Sequence, residues 1–83
     1  MSRFLGMAVT MYFNDMDAPH FHVRYESHRA TIGIKRLELL SGKVPSRVLG
    51  LAIEWAELHQ LELLANWRSL ATEGTMKRIA PLV

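Results

Sequence analysis

The chain has 83 residues, 49% of them hydrophobic and 22% charged, with a net charge of +2 and no cysteine. Those figures exclude a second domain, a disulfide framework or thiolate metal cage, and a bilayer-spanning helix, which needs about 18 apolar residues in a row. A domain this small buries only ~60% of its unfolded surface, so its core is thin.

The weak basic excess permits an acidic partner or nucleic acid and requires neither. Freedom from cysteine fits a reducing compartment, so a cytoplasmic location is expected. The opening "MSRFLGMAV" runs directly into patterned sequence, unlike a secretion signal.

From the start to Ser41-Gly42 the pattern has a period of two. In "GMAVTMYF", Met7, Val9, Met11 and Phe13 alternate with Ala8, Thr10 and Tyr12, which predicts a strand over about 4–13. In "HFHVRYE", Phe21, Val23 and Tyr25 alternate with His20, His22, Arg24 and Glu26, a second strand over 20–26. In "RATIGIK", Ala30, Ile32 and Ile34 alternate with Arg29, Thr31, Gly33 and Lys35, a third over 29–35. The β-branched and aromatic content suits half-buried strands. "ESHR", Glu26 to Arg29, is short enough for a hairpin turn. "LELL", Leu37 to Leu40, is a candidate fourth strand ended by Ser41-Gly42.

Beyond Gly42 the period becomes helical. Pro45 suits a first helical turn, where a missing N–H does no harm. No proline follows before residue 72, so one helix over about 45–72 is expected, ~39 Å long. Val48, Leu51, Ala52, Trp55 and Leu58 form its apolar stripe, with Arg47, Glu54, Glu57 and Arg68 opposite. His59, Glu62 and Asn66 continue the line from Trp55. A helix this long outruns a small sheet, which predicts His59 and Glu62 in water and a far end able to meet a second copy of the chain. Gly74 can stop it, and "MKRIAPLV" reads as an extended tail with Ile79 and Leu82 tucked in. The five methionines read as core filler. The expected fold is α+β: an antiparallel meander of three to four strands on one long helix.

The stretch "NDMDAPHFHV" concentrates the chemistry. On a strand His20, His22 and Arg24 share one side, while Phe21, Val23 and Tyr25 take the other. The wet face therefore gathers His22, Arg24, Tyr12, Thr10, Thr31 and Lys35, with His20 at its rim. One reading is an anion or RNA site. Imidazole passes protons near neutrality and arginine forks onto phosphate. The 2′-hydroxyl of RNA supplies its own nucleophile. A second reading is a divalent metal on His20 and His22, with Asp15 or Asp17 as a third ligand. The third is structural: Asp15 and Asp17 bond local backbone N–H groups in a turn, and the histidines are solvated or hydrogen-bonded. The two tryptophans read as packing residues, and neither an RNA-recognition sheet nor a helix-turn-helix pattern is present.

Taken together, "MYFNDMDAPHFHVRY", "GKVPSRVLGLAIEWAELHQLELLANW" and "KRIAPL" resemble a bacterial domain-of-unknown-function family, number 4160. Members typically show an acidic turn, Pro-Pro-His-x-His-Val, Leu-Pro before a helix with a Trp partway along, and an Ile-x-Pro-Leu end. Here Ala18 replaces the first proline, Val44 the leucine, and Met16 a histidine that often follows the first acid. That last departure weakens the metal reading. The resemblance implies a gene neighbour from another such family, number 2442, and so a two-protein module like a toxin and its antitoxin, with this chain as the toxin-like half. Two expectations follow. One is an RNA-directed toxin, a ribonuclease using His20 and His22 for proton transfer, Arg24 for phosphate, and Tyr12, Thr31 and Lys35 in support, without a cofactor. The other is a binding module that docks on the partner protein through helix surface near Trp67.

Overall fold

A computed structural model describes residues 1–82. Five strands, β1 (Ser2–Phe4), β2 (Met7–Thr10), β3 (His20–Tyr25), β4 (His28–Gly33) and β5 (Leu39–Lys43), form one antiparallel meander in chain order. Two helices follow, α1 (Ser46–Leu58) and α2 (Gln60–Glu73). The class is the α+β one expected, with one more strand than the upper estimate and the helix divided.

The extra strand comes from a tight hairpin. Leu5 and Gly6 both have positive φ, 49° and 82°, the requirement of a two-residue type I′ turn. Arg3 pairs with Ala8 and Phe4 with Met7 across it. The β3–β4 turn is Glu26-Ser27, tighter than the four residues expected, with positive φ at Glu26.

The fourth predicted strand lies further along, and Ser41-Gly42 belongs to it instead of ending it. Gly42 explains this. Its φ is +82°, and a Cβ there would collide with the Arg29 carbonyl oxygen and approach Ala30 Cα at 2.9 Å. Glycine lets β5 press onto β4 where the register shifts between Thr31 and Ile32.

The inner face follows the period-two reading. Met7, Val9, Phe21, Val23, Ala30, Ile32 and Ile34 are all buried. Val48, Ala52, Trp55 and Ala56 of α1, with Leu63 and Trp67 of α2, join the same core. Trp55 is its centre, fully buried with its ring 5.5 Å from Phe4 and 5.9 Å from Phe21. Met16 departs from the core-filler reading and is 87% exposed, as Leu58 departs from the apolar stripe.

The helix breaks at His59, whose φ and ψ of −122° and 22° leave the helical region. No proline or glycine marks the place; tertiary contacts hold it. The His59 ring lies 5.5 Å from Trp55, and Gln60 Nε2 donates to the Ile34 carbonyl at 2.7 Å. Glu62, three residues on in the first turn of α2, meets His59 Nδ1 at 2.6 Å. The expectation of a wet His59 is therefore corrected: its side chain is 17% exposed, while Glu62 stays mostly in water. The break keeps α2 on the sheet, so Leu63, Asn66 and Trp67 are buried.

The tail is extended, as expected, with Ile79 buried and Leu82 packed on the core. Trp55 Nε1 donates to Ala80 O at 2.8 Å, and Ile79 N–H donates to Met1 O at 3.2 Å. The tail thereby lies beside β1.

Candidate functional site

With the helices on one face, the sheet's other face is open. A groove of about 510 Å³ crosses it. His22, Arg24, Thr10, Tyr12 and Thr31 line it, five of the six residues that period-two reasoning puts on the wet face. Lys35 is the exception. It lies beyond the end of β4, exposed, outside the groove, and its carbonyl faces Gln60 Nε2 at 3.4 Å.

The register fixes this assembly. Thr10 opposes His22, His22 opposes Thr31, and Thr31 opposes Ser41. Directly opposed residues share a face, so three hydroxyls flank one imidazole in a row. Thr31 Oγ1 and His22 Nδ1 are 3.2 Å apart, and the tautomer decides which donates. Tyr12 is exposed, with its ring 5.4 Å from His22.

His20 sits at the strand's mouth, 8% exposed. Its Nδ1–H donates to the Ala18 carbonyl at 2.9 Å, which leaves Nε2 as the outward nitrogen. Its ring meets His22 edge-on at 5.1 Å and Trp67 at 5.0 Å. His20 therefore touches both the open face and the helical layer. His20 and His22 together line a second hollow, with Asp17 at its rim. Partial burial, and then the charge of a protonated His20, lower the pKa of His22 below 6.5, as both effects disfavour a second cation.

The loop before β3 is organised by a residue that sequence reasoning passed over. Asn14 accepts the Met16 N–H at its side-chain oxygen, 2.9 Å, and the Asp17 N–H at its carbonyl, 3.1 Å. Asp15 and Asp17 are both exposed. Among the described residues no three histidine or carboxylate side chains gather as metal ligands.

Trp67 is likewise not a surface platform. It is 8% exposed and packs its ring 5.1 Å from Phe13 and 5.0 Å from His20. It supports the site from behind, as the packing reading has it.

Sequence reasoning missed Arg3, Arg29 and Ser41, which also line the groove. The alternation of "RATIGIK" contains the signal for Arg29, since it shares a side with Thr31. Arg3 and Ser41 belong to strands whose extent and pairing the sequence pattern does not reveal.

These features define a class: a small α+β protein whose helices cover one face of an antiparallel meander and whose other face is a cation-lined groove ending at paired imidazoles. A family model described as Domain of unknown function (DUF4160) matches residues 6–68, most of the chain, and the chain belongs to that family. No curated protein and no solved structure matches it. No described helix is long and apolar enough to cross a membrane.

Proposed function

We propose that this protein acts on RNA through its open sheet face, as the ribonuclease half of a two-protein toxin–antitoxin module. One observation carries the reading: the His22 imidazole opens onto a groove lined by arginines and by no carboxylate, and a second imidazole, His20, stands edge-on to it at 5.1 Å between centroids. RNA cleavage needs proton transfer and stabilisation of phosphate charge, and little more. The lowered pKa of His22 favours its neutral form, the form that can accept a proton. In the proposed step the 2′-oxygen bonds to phosphorus as its proton passes to His22. The bond from phosphorus to the 5′-oxygen breaks, and that oxygen takes a proton from Nε2 of protonated His20. The products are a 2′,3′-cyclic phosphate and a 5′-hydroxyl, and exchange with water resets both rings. Arg24 holds the phosphate, and Tyr12 flanks the reacting nucleotide.

The test is cleavage of an end-labelled single-stranded RNA by purified protein. Products should carry a cyclic phosphate, the deoxy analogue should stay intact, and His22→Ala should lose cleavage with its far-UV spectrum unchanged. Cleavage at wild-type rate by the His20→Ala, His22→Ala double variant removes the histidines from the reaction.

A specific observation favours a second, non-catalytic reading. At the helix junction Leu58 and Leu61 are 67% and 82% exposed, an apolar pair suited to the partner protein, the family-2442-like product of an adjacent gene. Co-purification with that product, abolished by Leu61→Glu, supports it; binding unaffected by the change places the partner elsewhere. The same pair of genes, expressed singly and together, should give growth arrest and then rescue if the toxin reading holds.

A further inference from the structure

Three cations of the groove and Lys43 beside it fall on a single line. Arg3 opposes Ala8, Ala8 opposes Arg24, Arg24 opposes Arg29, and Arg29 opposes Lys43. This row crosses the whole sheet, one rung per strand, and four of its five rungs are basic. All four cations are exposed. At ~4.8 Å between strands the row is ~19 Å long.

Such a row works against the fold, because like charges directly opposite on neighbouring strands are destabilising. Among the described residues the only ion pair is His59–Glu62, in the helical layer; no acid lines the groove, and Glu26, which shares a neighbouring hollow with Arg3 and Arg24, pairs with neither. Parallel to the cations runs the neutral row of Thr10, His22, Thr31 and Ser41. Two residues beyond Thr10, beside this row, stands Tyr12, an exposed aromatic ring 5.4 Å from His22. A line of charge beside a line of hydrogen-bonding groups, flanked by a stacking surface, matches one flexible polynucleotide strand with its bases turned out.

We propose that Arg3, Arg24, Arg29 and Lys43 form a phosphate ladder that holds single-stranded RNA across the strands of the sheet, at right angles to them. This deepens the RNA reading of the same face and rests on it. The ladder sets the backbone's path, and the neutral row beside it receives the sugar edge, which brings a 2′-hydroxyl to His22.

The test is binding of a labelled oligothymidylate of about eight nucleotides, read by fluorescence anisotropy over a series of salt concentrations. Lacking the 2′-hydroxyl, this probe cannot be cleaved, so binding is measured apart from chemistry. Single-strand binding loses ~0.7 in the slope of log K against log salt per phosphate neutralised. A slope near −2.8 is expected, with about 0.7 less steepness in Arg24→Gln or Arg29→Gln and about 1.4 less in the double variant. Tyr12→Ala should weaken binding at every salt concentration without altering the slope. Slopes unchanged in all the arginine variants overturn the ladder, as does equal affinity for the matching duplex. Failure to bind the oligonucleotide while poly-glutamate binds also overturns it and gives the row to an acidic protein partner. RNA cleavage that survives with unchanged slopes would spare the ribonuclease reading; a ladder that holds with RNA left uncut would spare the ladder alone.

Discussion

Asn66 and Lys77 bind each other twice: the Asn66 amide donates to the Lys77 carbonyl at 2.9 Å, and its oxygen accepts the Lys77 N–H at 2.8 Å. A buried side chain on α2 thus imitates the edge of a β-strand and fastens the tail. Asn66→Ala leaves both Lys77 backbone groups without these partners, at about 1–3 kcal/mol. In a domain this size each kcal/mol moves Tm by about 4–8 °C. Differential scanning fluorimetry should show a fall in that range, and amide exchange at Ile79 should quicken. An unchanged exchange rate at Ile79 would mean that the Trp55–Ala80 and Ile79–Met1 bonds hold the tail without Asn66.

The same substitution should have opposite effects at two glycines. Gly50 lies in α1 with nothing within 4 Å of the place a methyl would take, while Gly42 meets β4 backbone at positive φ. Gly50→Ala should stabilise by about 0.5–1 kcal/mol through helix propensity. Gly42→Ala should cost more than about 1–2 kcal/mol, the penalty of the left-handed conformation with a collision added. Chemical denaturation of both variants checks this; equal shifts would contradict the close approach of β5 to β4.

Leu5 is a residue without β-branching held at φ 49° in the first hairpin, where asparagine is favoured. Leu5→Asn should raise stability by about 1 kcal/mol, read from the urea midpoint. A lower midpoint would show that the Leu5 side chain packs more than its 49% exposure suggests.

Arg29 faces Arg24 on one side and Lys43 on the other. Arg29→Glu converts two like-charge pairs into attractive ones, each worth about 0.2–1 kcal/mol. Thermal stability should rise while oligonucleotide affinity at low salt falls by about an order of magnitude. Gains in both properties would separate the row from binding.

The lowered pKa of His22 gives stability a definite dependence on pH. Well above 6.5 the ring is neutral in both states and contributes nothing. Below it the unfolded chain takes up a proton that the folded chain resists, so stability falls with falling pH until the lowered folded value is passed. His22→Gln should flatten the Tm profile just below pH 6.5 relative to the parent. Identical profiles would mean that His22 titrates alike in both states.

Much of the site was legible in the sequence. Alternation alone puts His22, Arg24, Thr31, Thr10 and Tyr12 on one face, because a strand offers its side chains only two directions. It also yields the buried set from Met7 to Ile34. The location of Lys35 was not legible, since alternation carries no mark of where a strand stops. Nor was the break at His59, which no proline or glycine marks and beside which Gln60 is tied to the Ile34 carbonyl across the fold.

The sequence by itself determined the class of fold and the division of the strands into a core side and a water side, because those depend on periods of two and 3.6 residues along the chain. Only the tertiary structure decided which rungs stand opposite one another. Register is a relation between strands, so the line from Arg3 through Arg24 and Arg29 to Lys43 exists nowhere along the chain. Two turns of two residues and one glycine-dependent bulge put it in place.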